Sequence, residues 1–249
     1  MLADDKRQLL TSDIRCTIVS NYKNNAVLFD IFYRLNTGSV PLSSQELRQA
    51  LIRGPYSDFI MESTNKKIPL HTVMNLSEPD NRLRDAEILI RFISFSNREE
   101  TYRGNLTEFL NDSLRYGNEN WENEKENFIR ILETFNTATQ NLINTFPKGK
   151  VGRKISNNQW ESQFNRVLFE VEVYYFSKLD QDFISNNSQG FKNAFYSFFL
   201  QNDTFLSTIE STTKSLERYY TRFYIFQEFI NKLFGVNINS IPTPDPNRD

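Results

Sequence analysis

Large apolar side chains recur along this chain at the three- and four-residue spacing of one helix face. They hardly ever recur at the two-residue spacing of a strand, which commits most of the chain to α-helix. The pattern is fullest near the end, where Leu216, Tyr219, Phe223, Phe226, Ile230 and Leu233 share a face before Gly235. Such a stripe is read as core rather than as a surface for a partner helix. Rings supply much of it: with 22 Phe and 11 Tyr, aromatic packing is expected to dominate the interior. At 249 residues, the chain is long enough to bury that interior without disulfides or metals.

The same spacing divides the chain. Val27, Leu28, Ile31, Phe32 and Leu35 predict a helix ending near Asn36, with Gly38 placed to terminate it. After Pro41, Ser43 and Glu46 have the spacing of a capping box ahead of Leu47, Ala50 and Leu51, and Gly54-Pro55 ends that helix. A loop is expected between Pro69 and Pro79. Leu83, Ala86, Ile90 and Ile93 then mark a helix on which Glu87 and Arg91 are spaced for an i,i+4 ion pair. Two helices follow between Leu106 and Phe146, then a compact basic turn, Pro147 to Lys154. Helix is expected to resume with Trp160, Phe164, Val167, Leu168 and Val171. The tail from Ile241 is expected to be loosely attached. One strand is expected, where Ile14, Cys16 and Ile18 alternate with polar residues, and its pairing groups call for polypeptide outside this sequence.

A formal charge of −2 gives no global field for nucleic acid, so any such contact must be local. The lone Cys16 cannot close an intramolecular disulfide and is expected to be buried and reduced. The charged start and the lack of a long apolar run point to a cytoplasmic protein without a membrane span. Glycine-rich phosphate loops, nucleophile elbows and paired zinc ligands are missing. His71 is the only histidine, which argues against a histidine–metal nuclease centre and for a loop or packing role. Asp85 and Glu87 lie two apart on a predicted helix, so they diverge by about 200° and do not form a metal pair. In the basic turn, Lys148, Lys150, Arg153 and Lys154 are candidate DNA contacts; the alternative is a solvated loop.

The run from Phe32 to Gly38 and on through Leu42 to Arg48 resembles the F-x-R-L-N-T-G … L-S-x-Q-E-L-R signature of the GmrSD restriction endonuclease N-terminal domain family. Arg82 to Phe92 and Tyr102-Arg103-Gly104 are similar to later family features, so the likeness lies in the first half of the chain. The resemblance implies a mainly α fold: a helical bundle following a remnant α/β edge of ParB/sulfiredoxin type. Residues 1–60 would hold that remnant with the signature helices, 61–240 a helical domain and 241–249 a flexible tail. It further implies a component of a modification-dependent DNA restriction system used in phage defence. The family's D-G-Q-Q-R motif for nucleotide hydrolysis and its HNH nuclease motif do not occur in this sequence. The chain is therefore expected not to be catalytic alone, as a split subunit, a truncated product or a decayed copy. A nucleoside triphosphate and Mg would belong to a complete assembly with a partner polypeptide carrying D-G-Q-Q-R. Arg34, Asn36, Thr37, Gln45, Glu46 and Arg48 match the signature and are candidates for a nucleotide- or phosphate-binding pocket completed by that partner. Asn36 to Gly38 and Ser43 with Glu46 have a second reading, as helix terminus and cap; capping does not explain Arg34, Gln45 or Arg48. The rival to the restriction role is a catalytically inactive helical interaction module left by truncation.

Overall fold

The computed structural model describes residues 3–13, 18, 20, 27, 31, 34, 41–210 and 215–239. The chain divides into two compact units, Met1–Pro41 and Leu42–Asp249. In the first, α1 spans Ala3–Thr11, and its last turn is closed by the Thr11 hydroxyl donating to the Arg7 carbonyl at 2.9 Å. Val27, Ile31 and Arg34 are helical. The expected strand over Ile14 to Val19 lies outside the described residues apart from Ile18. So do Cys16, the rest of the helix expected to end near Asn36, and the tail.

The second unit is mainly helical. It contains α2 (Ser44–Leu51), α3 (Pro55–Asn65), α4 (Pro69–Met74), α5 (Arg84–Arg98), α6 (Leu106–Glu119) and α7 (Trp121–Thr145). A two-stranded hairpin follows, β1 (Ile155–Ser156) with β2 (Gln159–Trp160), and then α8 (Arg166–Phe176), α9 (Gln181–Gln201), α10 (Asp203–Glu210) and α11 (Leu216–Phe234). Among the described residues no helix is long and apolar enough to cross a membrane.

Two helices are buried nearly all round and form the axis of this unit. On α5 every residue from Ile88 to Phe95 is buried, and on α8 every residue from Leu168 to Phe176. A helix without a polar face must be wrapped by others. Accordingly α7 packs on both, α11 covers α8, and α2, α3 and α6 cover α5. The rings fill the gaps as expected. Phe95, Tyr102, Phe109 and Tyr219 interlock at one end of α5, with Phe95 and Tyr219 stacked at 4.7 Å between centroids. Phe146, Phe191, Phe195, Phe199 and Phe226 continue the packing along α9 and α11. The C-terminal stripe is core: Tyr219, Phe223, Phe226 and Ile230 are buried, and Gly235 ends α11 in the left-handed region at φ 64°.

The capping box forms as the spacing predicts. Ser43 Oγ accepts from the Glu46 N–H at 3.1 Å, and the Ser43 N–H donates to Glu46 Oε2 at 2.6 Å. Three expectations need correction. The stretch after Pro69 opens as a helix, since proline at the first helical position has its φ preset and gives up a donor that would have no partner there. Leu70 and Val73 of this short helix are buried. Trp160 does not begin a helix: it pairs with Ile155 across the hairpin, and α8 starts only at Arg166, capped by Asn165. The hairpin also shows that the strand-forming residues are not confined to Ile14–Val19. Its turn is Asn157-Asn158, both at positive φ (49° and 60°), the mirror-image geometry that matches strand twist and that asparagine tolerates.

Gly117 gives a direct test of the packing of α6 on α3. A Cβ there would lie 2.2 Å from Tyr56 Cδ1 and 2.5 Å from its Cγ, and Tyr56 is itself buried. In an exposed helix, alanine would gain about 1 kcal/mol over glycine. Here Gly117→Ala is expected to destabilise by about 1–3 kcal/mol through overpacking, read as a lower urea midpoint. A raised midpoint would mean that the ring has room to move.

Candidate functional site

The second half of the signature is built into the helical core. Gln45 and Arg48, one turn apart on α2, are 1% and 2% exposed. Arg48 Nη1 donates to Gln45 Oε1 at 3.1 Å and its Nε to Asn111 Oδ1 on α6 at 3.0 Å. Glu46, besides capping α2, lies 3.3 Å from Arg82 Nε just ahead of α5. Arg48 and Glu46 therefore tie α2 to its neighbours, and Gln45 holds the Arg48 guanidinium. Arg34 is exposed, in the other unit; Asn36 and Thr37 lie outside the described residues.

Beside Arg48 runs a buried ionic network. Arg91 on α5 bonds through Nη1 to Glu170 Oε1 on α8, and its Nε lies 3.2 Å from Glu87 Oε1, the i,i+4 pair that the spacing predicts. The same Glu87 oxygen accepts from Arg166 Nη1 at 3.0 Å. Arg222 on α11 approaches the second Glu170 oxygen at 4.0 Å, with its guanidinium over the Tyr219 ring. Burial works against the Arg91 charge, but Glu170 and Glu87 outweigh it and hold the guanidinium above its ordinary value. Arg48 goes the other way. Burial, opposed by Glu87 and reinforced by Arg91 and Arg166, lowers it to about 10. Arg48, Arg91 and Arg166 are thus all within reach of the Glu87 carboxylate, while Glu170 balances Arg91 from the other side.

The network opens into a cleft of about 500 Å³ between α5, the hairpin, α8 and α10. Buried Ile88 and Ile209 supply its floor, with Met74 and Phe164 beside them, and Arg84, Arg166, Lys154, Gln163, Glu161 and Glu210 supply polar lining. Arg84 and Arg166 are the first residues of α5 and α8. Each is oriented by one carboxylate: Arg84 through Nε by Asp80, Arg166 through Nη1 by Glu87. Lys154 Nζ is shared between Glu210 at 2.7 Å and Glu161 at 3.3 Å. The loop carrying Asp80 is in turn held by Asp85. Its Oδ2 accepts the Asp80 N–H at 3.1 Å and faces His71 Nε2 at 2.9 Å. The Ile68 N–H donates to His71 Nδ1, which assigns the ring proton to Nε2 and the bond to Asp85. His71 is thus a packing residue that orients Asp85, and it sits in a helix rather than in the expected loop. Asp85 and Glu87 diverge as their spacing predicts, one to His71 and the other to the arginines. Among the described residues no group of three or more His, Cys, Asp or Glu is placed to hold a metal.

The basic turn does not gather its cations. Arg153, 6% exposed, donates to the carbonyls of Ser162, Val151 and Val73 at 3.0, 3.0 and 3.1 Å, stapling the turn to α4 and to the segment entering α8. Lys154 turns into the cleft, whereas Lys148 is exposed and Lys150 half-buried. Arg84, Arg166 and the cleft were not singled out by sequence reasoning. The usable signal was an arginine at the predicted start of each of two apolar helices.

Under the turn lies Glu172, fully buried, with Oε2 accepting the Gly152 N–H at 2.8 Å and Oε1 making no hydrogen bond. Burial pushes its carboxyl well above the ordinary value of 4.5, and the Gly152 N–H and nearby Arg153 offset this only in part. The folded state therefore holds a proton that the unfolded chain releases. Its contribution is complete below the ordinary carboxyl value and is lost as pH rises through the folded value. Glu172→Gln keeps the shape without the proton. As pH rises above the ordinary carboxyl value of 4.5, the variant is expected to gain stability relative to the parent chain until the folded value is passed, read from paired urea midpoints. A difference that stays flat with pH would mean that Glu172 is ionised in the fold.

No protein-family model, curated protein or solved structure matches this chain.

Proposed function

We propose that this chain is the helical component of a GmrSD-type, modification-dependent DNA restriction system. It acts with a second polypeptide that supplies the D-G-Q-Q-R nucleotide-hydrolysis region and the nuclease. Its own part is to complete a nucleotide- or DNA-binding pocket and to hold nucleic acid by its phosphates. The observation that carries this reading is the cleft, where Arg84 and Arg166 each use one face on an internal carboxylate and line a common cavity with the other. Guanidinium groups fixed in this way suit phosphate oxygens. The signature likeness adds to it, since Ser43 to Arg48 form a rigid capped helix on the same core.

A second reading, a catalytically inactive helical interaction module, is favoured by one specific observation. Gln45, Glu46, Arg48 and Arg153 all direct polar atoms to partners within the fold, as structural residues do.

Co-expression with a D-G-Q-Q-R-bearing polypeptide encoded beside this chain separates the two. The restriction reading predicts a stable complex that cleaves base-modified DNA in the presence of a nucleoside triphosphate and Mg, while this chain alone neither hydrolyses nucleotide nor cuts DNA. Arg84→Ala is expected to weaken DNA binding by the complex about tenfold, with a shallower salt dependence, as measured by fluorescence anisotropy. A complex that forms but neither binds nor cuts DNA would contradict the restriction reading and leave the interaction module.

A further inference from the structure

The geometry points to the cleft between α5, the hairpin, α8 and α10 as a site for a single nucleotide unit, with the phosphate on Arg84 and Arg166 and the base against Phe164 and Met74. This deepens the DNA-handling reading, and it rests on that reading for choosing a nucleotide among phosphorylated molecules.

Three observations carry it. The first is volume: about 500 Å³ is within the usual range for small-molecule sites and holds one nucleotide, but not a duplex. The second is the division of the lining. Ile88, Ile209, Met74 and Phe164 offer an apolar wall with one half-buried ring, the two arginines and Gln163 offer donors, and the carboxylates of Glu161 and Glu210, which also line the cavity, are bound to Lys154. A flat apolar base joined to a charged phosphate has the same division. The third is electrostatic. Each cation of the lining already has a carboxylate partner, Arg84 with Asp80, Arg166 with Glu87 and Lys154 with Glu161 and Glu210, so what the two arginines offer a phosphate is their remaining guanidinium N–H groups, and the Arg166 side chain is 39% exposed. Arg84, 61% exposed and held by Asp80, can meet the ligand without repacking. Both guanidiniums are pre-oriented, which lowers the entropy cost of binding. Lys154 takes no part, because Glu161 and Glu210 already neutralise it.

The phosphate has two sources, a free mononucleotide or a nucleotide within a single strand, and titration calorimetry distinguishes them. The full chain is titrated with the common nucleoside 5′-monophosphates, the matching nucleosides, inorganic phosphate and a short single-stranded oligonucleotide. Monophosphate is expected to bind at least about tenfold more tightly than either nucleoside or inorganic phosphate, since each of those keeps only half the contacts. Arg84→Lys, at an exposed position, is expected to cost about tenfold while leaving the thermal midpoint in place, because lysine keeps the charge and loses the fork. Arg166→Lys provides the second variant. Binding confined to the oligonucleotide and sensitive to both substitutions assigns the site to a strand; binding of the free monophosphate assigns it to a small molecule. Inorganic phosphate binding as tightly as monophosphate, binding indifferent to both arginines, or no binding by any probe would overturn the inference. Loss of nucleotide binding with restriction intact would refute the cleft site alone. Nucleotide binding without restriction by the paired complex would refute the role alone.

Discussion

The bond between Arg91 and Glu170 joins the two helices around which the rest of the helical unit is wrapped. The middle of α5 (Ile88 to Phe95) and most of α8 (Leu168 to Phe176) are covered on every side, and yet each carries a charged residue into the covered space. Isolated, either charge would cost several kcal/mol to bury. Paired, they set the rotation of the two helices, because the bond forms only when Arg91 and Glu170 face one another. Glu87, Arg166 and Arg222 extend the pair to the cleft and to α11. Ring packing supplies much of the contact in this unit, and the ionic bonds add a directional requirement to it.

The same network shapes what the surface can do. Carboxylates committed to arginines are not disposed to chelate a metal, and arginines committed at one edge to carboxylates have fixed directions at the other. At Arg84 and Arg166 this gives the cleft two oriented guanidiniums, whereas at Arg48 and Arg153 every bond described goes to the protein's own amides and carbonyls. The chain as a whole carries a formal −2, so any affinity for phosphate has to come from local arrangement rather than from a global field.

Much of the helical order was legible because helices are local. The Ser43–Glu46 capping box, the Glu87–Arg91 pair, the Leu216–Leu233 stripe and Gly235 at its end all depend on residues a few positions apart. The hairpin was missed because its strands have two residues each, too short for alternation to register, although Asn157-Asn158 is a turn signal in its own right. Pro69 was read as a loop boundary, although a proline followed by Leu70 and Val73 also opens a helix. The cleft was not legible at all. Arg84 and Arg166 are 82 positions apart in sequence, and only the packing of α5 beside α8 puts them on one cavity. Gln45 and Arg48 are pocket candidates through their match to the signature; their bond to each other is local, one helix turn apart, whereas the bond from Arg48 to Asn111 comes from tertiary packing that no local pattern encodes.

A double-mutant cycle on Arg91 and Glu170 measures most directly whether this ionic pair holds the two central helices. Arg91→Met, Glu170→Met and the double variant would be unfolded in urea alongside the parent chain. The account predicts that each single substitution costs about 3–5 kcal/mol, since it strands the opposite charge, and that the double recovers most of that loss. Losses that simply add, with no coupling between the two positions, would contradict it and leave the rings and the Arg166–Glu87 bond to determine how α5 and α8 meet.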